Sequence, residues 1–313
     1  MKPMIILTGP TAAGKTSLSI RLAKAVNGAI ISADSMQIYK KMDIGTAKIM
    51  PEEMEGIDHY LVDELDPAEE FHVARFQEMA KAALEKIYEK GQIPIVVGGT
   101  GFYIQALLYD IQFTDTKTDE KYRQELKRTA EEKGNHYLHQ KLAEVDPKSA
   151  EVIHENNVKR VIRALEYYKE TGEPISKHNE RERMRKSPYR FAYFVLTHER
   201  PVLYDRINVR VDQMLEQGLE EEVAALKKEG YDRNLVSMQG LGYKELLSYL
   251  DGEISFDEAV YRLKRDTRHF AKRQLTWFGR EKDVIMIEKQ SFKDDEAILD
   301  YMLKIIKDRG ILC

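Results

Sequence analysis

The feature that most constrains this chain is the run Gly9, Pro10, Thr11, Ala12, Ala13, Gly14, Lys15, Thr16, which fits G-x-x-x-x-G-K-[ST] in full. It follows a short apolar segment, Met4 to Leu7, and precedes a helical pattern from Lys15 to Val26 with Leu18, Leu22 and Ala25 on one face. That order of strand, glycine loop and helix is what the motif needs in order to work. Glycines at both ends let the backbone curl so that its N–H groups converge on phosphate oxygens, and the helix N-terminus adds a positive dipole end. Lys15 would neutralise a terminal phosphate, and the Thr16 hydroxyl would ligate Mg²⁺. The loop predicts a bound di- or triphosphate without saying which one.

The pattern around it predicts an α/β fold. Ala29 to Ile31 and Ile93 to Val97 are further buried-strand candidates, with a helix at about 75–90 between them and another starting at Phe102. Strands alternating with helices imply a phosphate-loop NTPase-like parallel sheet flanked by helices. From about Thr114 the character turns helical, polar and rich in charge, with breakers at Asp146-Pro147, Gly172 to Pro174 and Ser187-Pro188. Tyr189 to Thr197 then reads as a strand returning to the sheet. Helices are expected over 203–218, 219–229, 243–250 and 256–278, and a last short strand over 284–287. The expected organisation is a catalytic core made of 1–113 and 189–313, interrupted by a helical insert at 114–188.

The apolar runs fall far short of the roughly 18 residues a membrane span needs. The start of the chain resembles no signal peptide. The lone cysteine, Cys313, excludes an intrachain disulfide and a multi-cysteine zinc site. These features predict a cytoplasmic protein. The net charge of −4 argues mildly against nucleic acid, but the average hides two basic stretches. Residues 158–190 hold 10 basic and 5 acidic side chains, and residues 261–282 hold 8 and 2. Arg265, Arg268 and Lys272 fall on one helical face.

The elements that would identify a nucleotide are weak. No Asn-Lys dipeptide occurs, so the guanine-reading element of GTPases is absent, and the strand at 93–97 ends in Gly98-Gly99-Thr100-Gly101 rather than in an acid. Asp34, past the second strand, is where a catalytic carboxylate would sit in such a fold, although an Asp-Ser pair also commonly caps a turn.

Six strings taken together carry a family resemblance: GPTAAGKT at 9–16, DSMQIY at 34–39, DIGTAK at 43–48, GGTGFYI at 98–104, QGLGYK at 239–244 and KRQLTW at 272–277. In this order and spacing the chain resembles the bacterial tRNA dimethylallyltransferases over residues 4 to about 280. The resemblance implies transfer of a dimethylallyl group from dimethylallyl diphosphate to the exocyclic amine of the adenosine 3′-adjacent to the anticodon, in tRNAs that read codons beginning with U. It also implies that the phosphate loop, with Arg210, holds the diphosphate leaving group, that Mg²⁺ assists, and that Asp34 and Thr100 serve catalysis.

The same resemblance gives tRNA contacts to Asp34, Ser35, Met36, Gln37 and Thr100, and to Arg123, Lys159, Arg160 and Arg163 in the insert, meeting the anticodon stem-loop. It extends them to Gln239, Gly242, Lys244, Arg268, Lys272, Arg273, Gln274 and Trp277. Unstacked loop bases can stack on aromatic side chains, and the target adenine must be flipped out of its stack. The alternative reading, from residues 1–50 alone, is an ATP-dependent kinase acting on a small metabolite.

Overall fold

The structure, a computed structural model, describes residues 1–113 and 119–312. The expected insert boundary at Thr114 and the lone Cys313 lie outside the described residues. The chain divides into two units: Met1–Leu108 with Pro188–Cys313, and Tyr109–Ser187.

The first unit is built on a six-stranded sheet of order β3-β2-β4-β1-β5-β6, every neighbouring pair parallel. The strands are β1 (Lys2–Thr8), β2 (Gly28–Ser32), β3 (His59–Tyr60), β4 (Ile93–Gly98), β5 (Tyr189–Thr197) and β6 (Val284–Glu288). Parallel strands covered on both faces read as continuous apolar runs, and β1 is a case in point, with Met4, Ile5, Ile6 and Leu7 all fully buried. Ile5 and Leu7 join Ile95, Phe194 and Leu196 in a core beneath helix α1 (Lys15–Val26) and the final helix, Asp295–Asp308. The opposite face is covered by α2 (Val73–Glu89), which packs on β2 and β4 and against α3 (Gly101–Leu108).

The second unit holds five helices among its described residues: α4 (Glu120–Lys133), α5 (Asn135–Val145), α6 (Pro147–Val152), α7 (Val158–Thr171) and α8 (Ile175–Arg183). Leu126, Leu138, Leu142, Val161 and Leu165 form its own core. The chain then returns through β5 to α9 (Arg200–Glu216), α10 (Leu219–Lys228), α11 (Tyr243–Leu250) and α12 (Phe256–Phe278). Two of the strands and α-helices lie outside the expectations from the sequence. β3 is only two residues long, too short for a periodicity, and α13 (Asp295–Asp308) was not expected.

The strand order fixes where a ligand sits. From β1 the chain moves through α1 to β2 on one side, whereas from β4 it crosses over to β5 on the other side of β1. Connections that leave neighbouring strands in opposite directions open a crevice at the strands' carboxyl ends, and here it falls between β1 and β4. β4 separates β2 from β1, so the loop after β4 lies between the Asp34 loop and the phosphate loop.

Candidate active site

Gly9 ends β1 at φ 145°, and a Cβ built there would meet the Leu196 carbonyl oxygen at 2.2 Å, so only glycine lets the loop leave the sheet against β5. Gly14, at φ 84°, turns the chain into α1. Lys15 folds back over the loop, its Nζ donating to the carbonyls of Gly9 at 3.0 Å and Pro10 at 2.8 Å. Burial pushes this ammonium down to about 8; Arg210 adds repulsion, and Asp34 opposes both. Thr16 lies on the exposed first turn of α1.

Cations from distant segments gather round this loop. Arg206 Nε donates to the Ala12 carbonyl at 2.8 Å, and a Cβ on Gly14 would sit 3.1 Å from Lys289 Nζ. Lys289 in turn pairs with Asp295 at 2.6 Å. Arg210 lies one turn along α9 from Arg206; burial depresses its guanidinium, Asp34 opposing and Arg206 adding repulsion. The sequence reading missed Arg206, although its spacing of four from Arg210 puts both on one helical face. It also missed Lys289, for which no local signal exists.

Asp34 follows β2 by two residues. Its Oδ1 accepts from the backbone N–H of Met36 at 2.9 Å and, more weakly, of Gln37 at 3.4 Å. The turn-capping role weighed from the sequence is therefore real and uses one carboxylate oxygen. Gln37 is held within the protein: its Nε2 donates to the carbonyls of Thr46 and Ala47 at 3.3 and 3.1 Å, and its Oε1 accepts from the Ser32 hydroxyl at 3.3 Å. Ser35 and Met36 remain partly exposed. The DIGTAK loop that Gln37 grips is fixed from its other side by Glu222 of α10, which accepts from the N–H groups of Asp43, Ile44 and Gly45 and from the Tyr243 hydroxyl.

Thr100 closes the arrangement. Its N–H donates to the Ala33 carbonyl at 3.1 Å, and its own carbonyl accepts from Tyr103 and Ile104 to start α3. The loops crowd closely, since a Cβ on Gly98 would meet the Ala33 carbonyl oxygen at 2.2 Å. Below them Tyr103 stacks on Phe76 at 4.7 Å and meets Phe71 edge-on, giving the Asp34 and Thr100 loops a rigid aromatic floor.

The expected tRNA residues divide. On α12, Lys272 and Arg273 are exposed and line a cavity of about 430 Å³ with His269, Thr276, Trp277 and Arg280. Arg265 and Arg268, on the same helical face, also bond within the protein: Arg265 Nε donates to Asp266, and Arg268 Nη1 to the Asn208 side chain at 2.6 Å. Gln274 is buried and turns inward, away from Lys272 and Arg273. Trp277 packs on Gly101, where a Cβ would sit 2.2 Å from its ring. Gln239 is exposed and donates to the Arg233 carbonyl; Gly242 starts α11 at φ 94°; Lys244 pairs with Glu245 at 3.4 Å. In the second unit Lys159, Arg160 and Arg163 are exposed along α7, while Arg123 makes a bidentate pair with the buried Glu166 at 2.8 and 3.0 Å.

A phosphate loop, a carboxylate and a hydroxyl-bearing glycine loop at one crevice of a parallel sheet define a phosphate-loop α/β protein equipped for transfer chemistry. Residues 37–281 match the IPP transferase family. The chain is 61% identical over its whole length to the whole of a protein of Lachnoclostridium phytofermentans named tRNA dimethylallyltransferase, and 55% identical, over 99% of both chains, to one of that name from Acetivibrio thermocellus. Among solved structures it is similar to the full-length tRNA isopentenylpyrophosphate transferase of Bacillus halodurans (TM-score 0.75, 45% identity, covering 99% of this chain and 97% of that one). It is also similar to a eukaryotic dimethylallyltransferase described as acting on tRNA (TM-score 0.81, 30% identity, covering 98% and 79%). The chain belongs to the IPP transferase family. No described helix is long and apolar enough to cross a membrane.

Proposed function

We propose that this protein transfers a dimethylallyl group from dimethylallyl diphosphate to the exocyclic amine of the adenosine 3′-adjacent to the anticodon, in tRNAs reading codons that begin with U, and that it acts in the cytoplasm. The observation that carries this reading is the meeting of the phosphate loop, Asp34 and Thr100 at the β1/β4 crevice, in a chain 61% identical to a tRNA dimethylallyltransferase.

In this reading the diphosphate rests in the phosphate loop, where Lys15 leaves its two carbonyl partners for phosphate oxygens, and Arg210 faces the same charge. The C–O bond to the allylic carbon breaks, a bond from that carbon to the adenine nitrogen forms, and diphosphate departs with the bonding electrons. The adenine nitrogen is a poor nucleophile because its lone pair is delocalised. Asp34 accepts its proton on the oxygen left over from the turn it caps. The Thr100 hydroxyl bonds a donor phosphate.

The residues present suit Mg²⁺. That ion is commonly held by one or two protein oxygens with substrate phosphates and water, so it needs no cluster of three ligating side chains, and the described residues contain none. Thr16 would hold it, and when bound it supplies further neutralisation of the departing diphosphate. Lys272, Arg273 and Trp277 on α12, with Arg268, are proposed to meet the tRNA, as are Ser35, Met36, Gln239, Gly242 and Lys244, and in the second unit Arg123, Lys159, Arg160 and Arg163.

The test is incubation of the purified protein with unmodified tRNA, Mg²⁺ and labelled dimethylallyl diphosphate without ATP. Label is expected in the tRNA. Consumption of ATP with a small metabolite and no labelled tRNA would restore the kinase reading, which the relatives do not favour.

A further inference from the structure

One side chain ties together two of the three loops at the crevice. Gln274, 6% exposed on α12, accepts on Oε1 from the Thr11 backbone N–H at 3.0 Å and donates from Nε2 to the Gly99 carbonyl at 2.9 Å. A carboxamide can do both at once because it carries an acceptor and a donor side by side. The fit is close, since a Cβ on Gly99 would lie 2.2 Å from that Nε2. Neighbours on the helix dock it in place: Ala271 and Leu275 pack with Ala12 of the phosphate loop, and Trp277 covers Gly101. Lys272, Arg273 and Thr276, by contrast, are exposed. The helix therefore presents a cationic outer side and an inner side that grips backbone.

We propose that Gln274 is a positioning residue for group transfer, setting the separation between the phosphate loop and the Thr100 loop, and that it does not contact tRNA. This rests on the prenyl-transfer reading above. A diphosphate held by the phosphate loop and bonded by the Thr100 hydroxyl must be aligned with the adenine nitrogen to a fraction of an ångström, and misplacement by about 1 Å costs on the order of 100-fold in rate.

Three variants test it. Gln274→Met keeps length but neither bond; kcat is expected to fall by about 30- to 100-fold, with the tRNA dissociation constant within about twofold of wild type. Gln274→Glu keeps the acceptor for Thr11 but repels the Gly99 carbonyl when ionised. Its activity relative to wild type is expected to recover as pH falls and the carboxyl protonates, because the protonated group again donates. Lys272→Ala, the control on the outer side, is expected to weaken tRNA binding instead.

Trp277 is the sole tryptophan and lies against the Thr100 loop, so its fluorescence is expected to respond to a titration with inorganic diphosphate without tRNA. That titration is expected to shift in Gln274→Met. If Met at 274 prevents folding, the pH profile of the Glu variant decides alone. Weakened tRNA binding with kcat intact, or a Glu variant whose activity ratio is flat with pH, overturns the proposal. If wild-type protein transfers no label, the prenyl-transfer reading fails by itself, and the diphosphate titration still tests Gln274.

Discussion

At the scale of single residues, Asp34 divides its carboxylate between two tasks. Asn at this position keeps an oxygen for the Met36 N–H but cannot take a proton, so Asp34→Asn is expected to lose at least about 100-fold in transfer rate while tRNA affinity holds. Single-turnover transfer and filter binding check both halves, and an unchanged rate would remove Asp34 as the base. Lys15 makes a second prediction. With its ammonium pushed down to about 8, much of it is neutral at about pH 9, and a bound diphosphate favours the charged form. Donor binding at about pH 9 is therefore expected to take up close to one proton, and diphosphate affinity to weaken progressively above about pH 8. Calorimetry in buffers of different ionisation heat reads this directly; binding without proton uptake would contradict it.

At the scale of elements, the strands were legible because both faces of a parallel sheet are buried, which writes β1, β2 and β4 as apolar runs. The phosphate loop was legible because its glycines answer to local geometry, Gly14 at φ 84° before α1 among them. The strand order was not, since nothing local says that β4 separates β2 from β1. The inward turn of Gln274 was hidden for the same reason: its partners, Thr11 and Gly99, are far away in sequence. α13 is a different case. Ile298, Leu299, Met302 and Ile306 carry a helical spacing that was there to be read.

The second unit offers a stability test at this scale. The carboxylate of Asp146 accepts from the backbone N–H and the hydroxyl of both Ser149 and Ser176, joining the starts of α6 and α8. Burial alone would raise its pKa, but these bonds outweigh it and hold the carboxyl below the usual range. Its contribution is thus present above the ordinary carboxylate pKa and lost as pH falls through the lowered value. Asp146→Ala is expected to cost about 2–4 kcal/mol, seen as faster amide exchange in α6 and α8.

At the scale of the whole molecule, a net charge of −4 coexists with a basic outer side on α12. Each phosphate neutralised by a cation adds about 0.7–0.9 to the steepness of the log affinity against log salt plot. Lys272→Ala with Arg273→Ala is therefore expected to flatten that slope by about 1.5, measured by tRNA binding between low and physiological salt. An unchanged slope would place the tRNA on another face.

The order of the strands also governs how the protein is made. β1 is flanked by β4 and β5, and its register with β5 pairs Lys2 with Tyr189. On a ribosome adding roughly 5–20 residues per second, the β5 edge of β1 waits roughly 10–40 seconds for its partner. Until then the strand leading into the phosphate loop exposes a row of unpaired N–H and C=O groups and apolar side chains, a template for mispairing. That edge is accordingly expected to stay open to mispairing throughout the synthesis of residues 109–187.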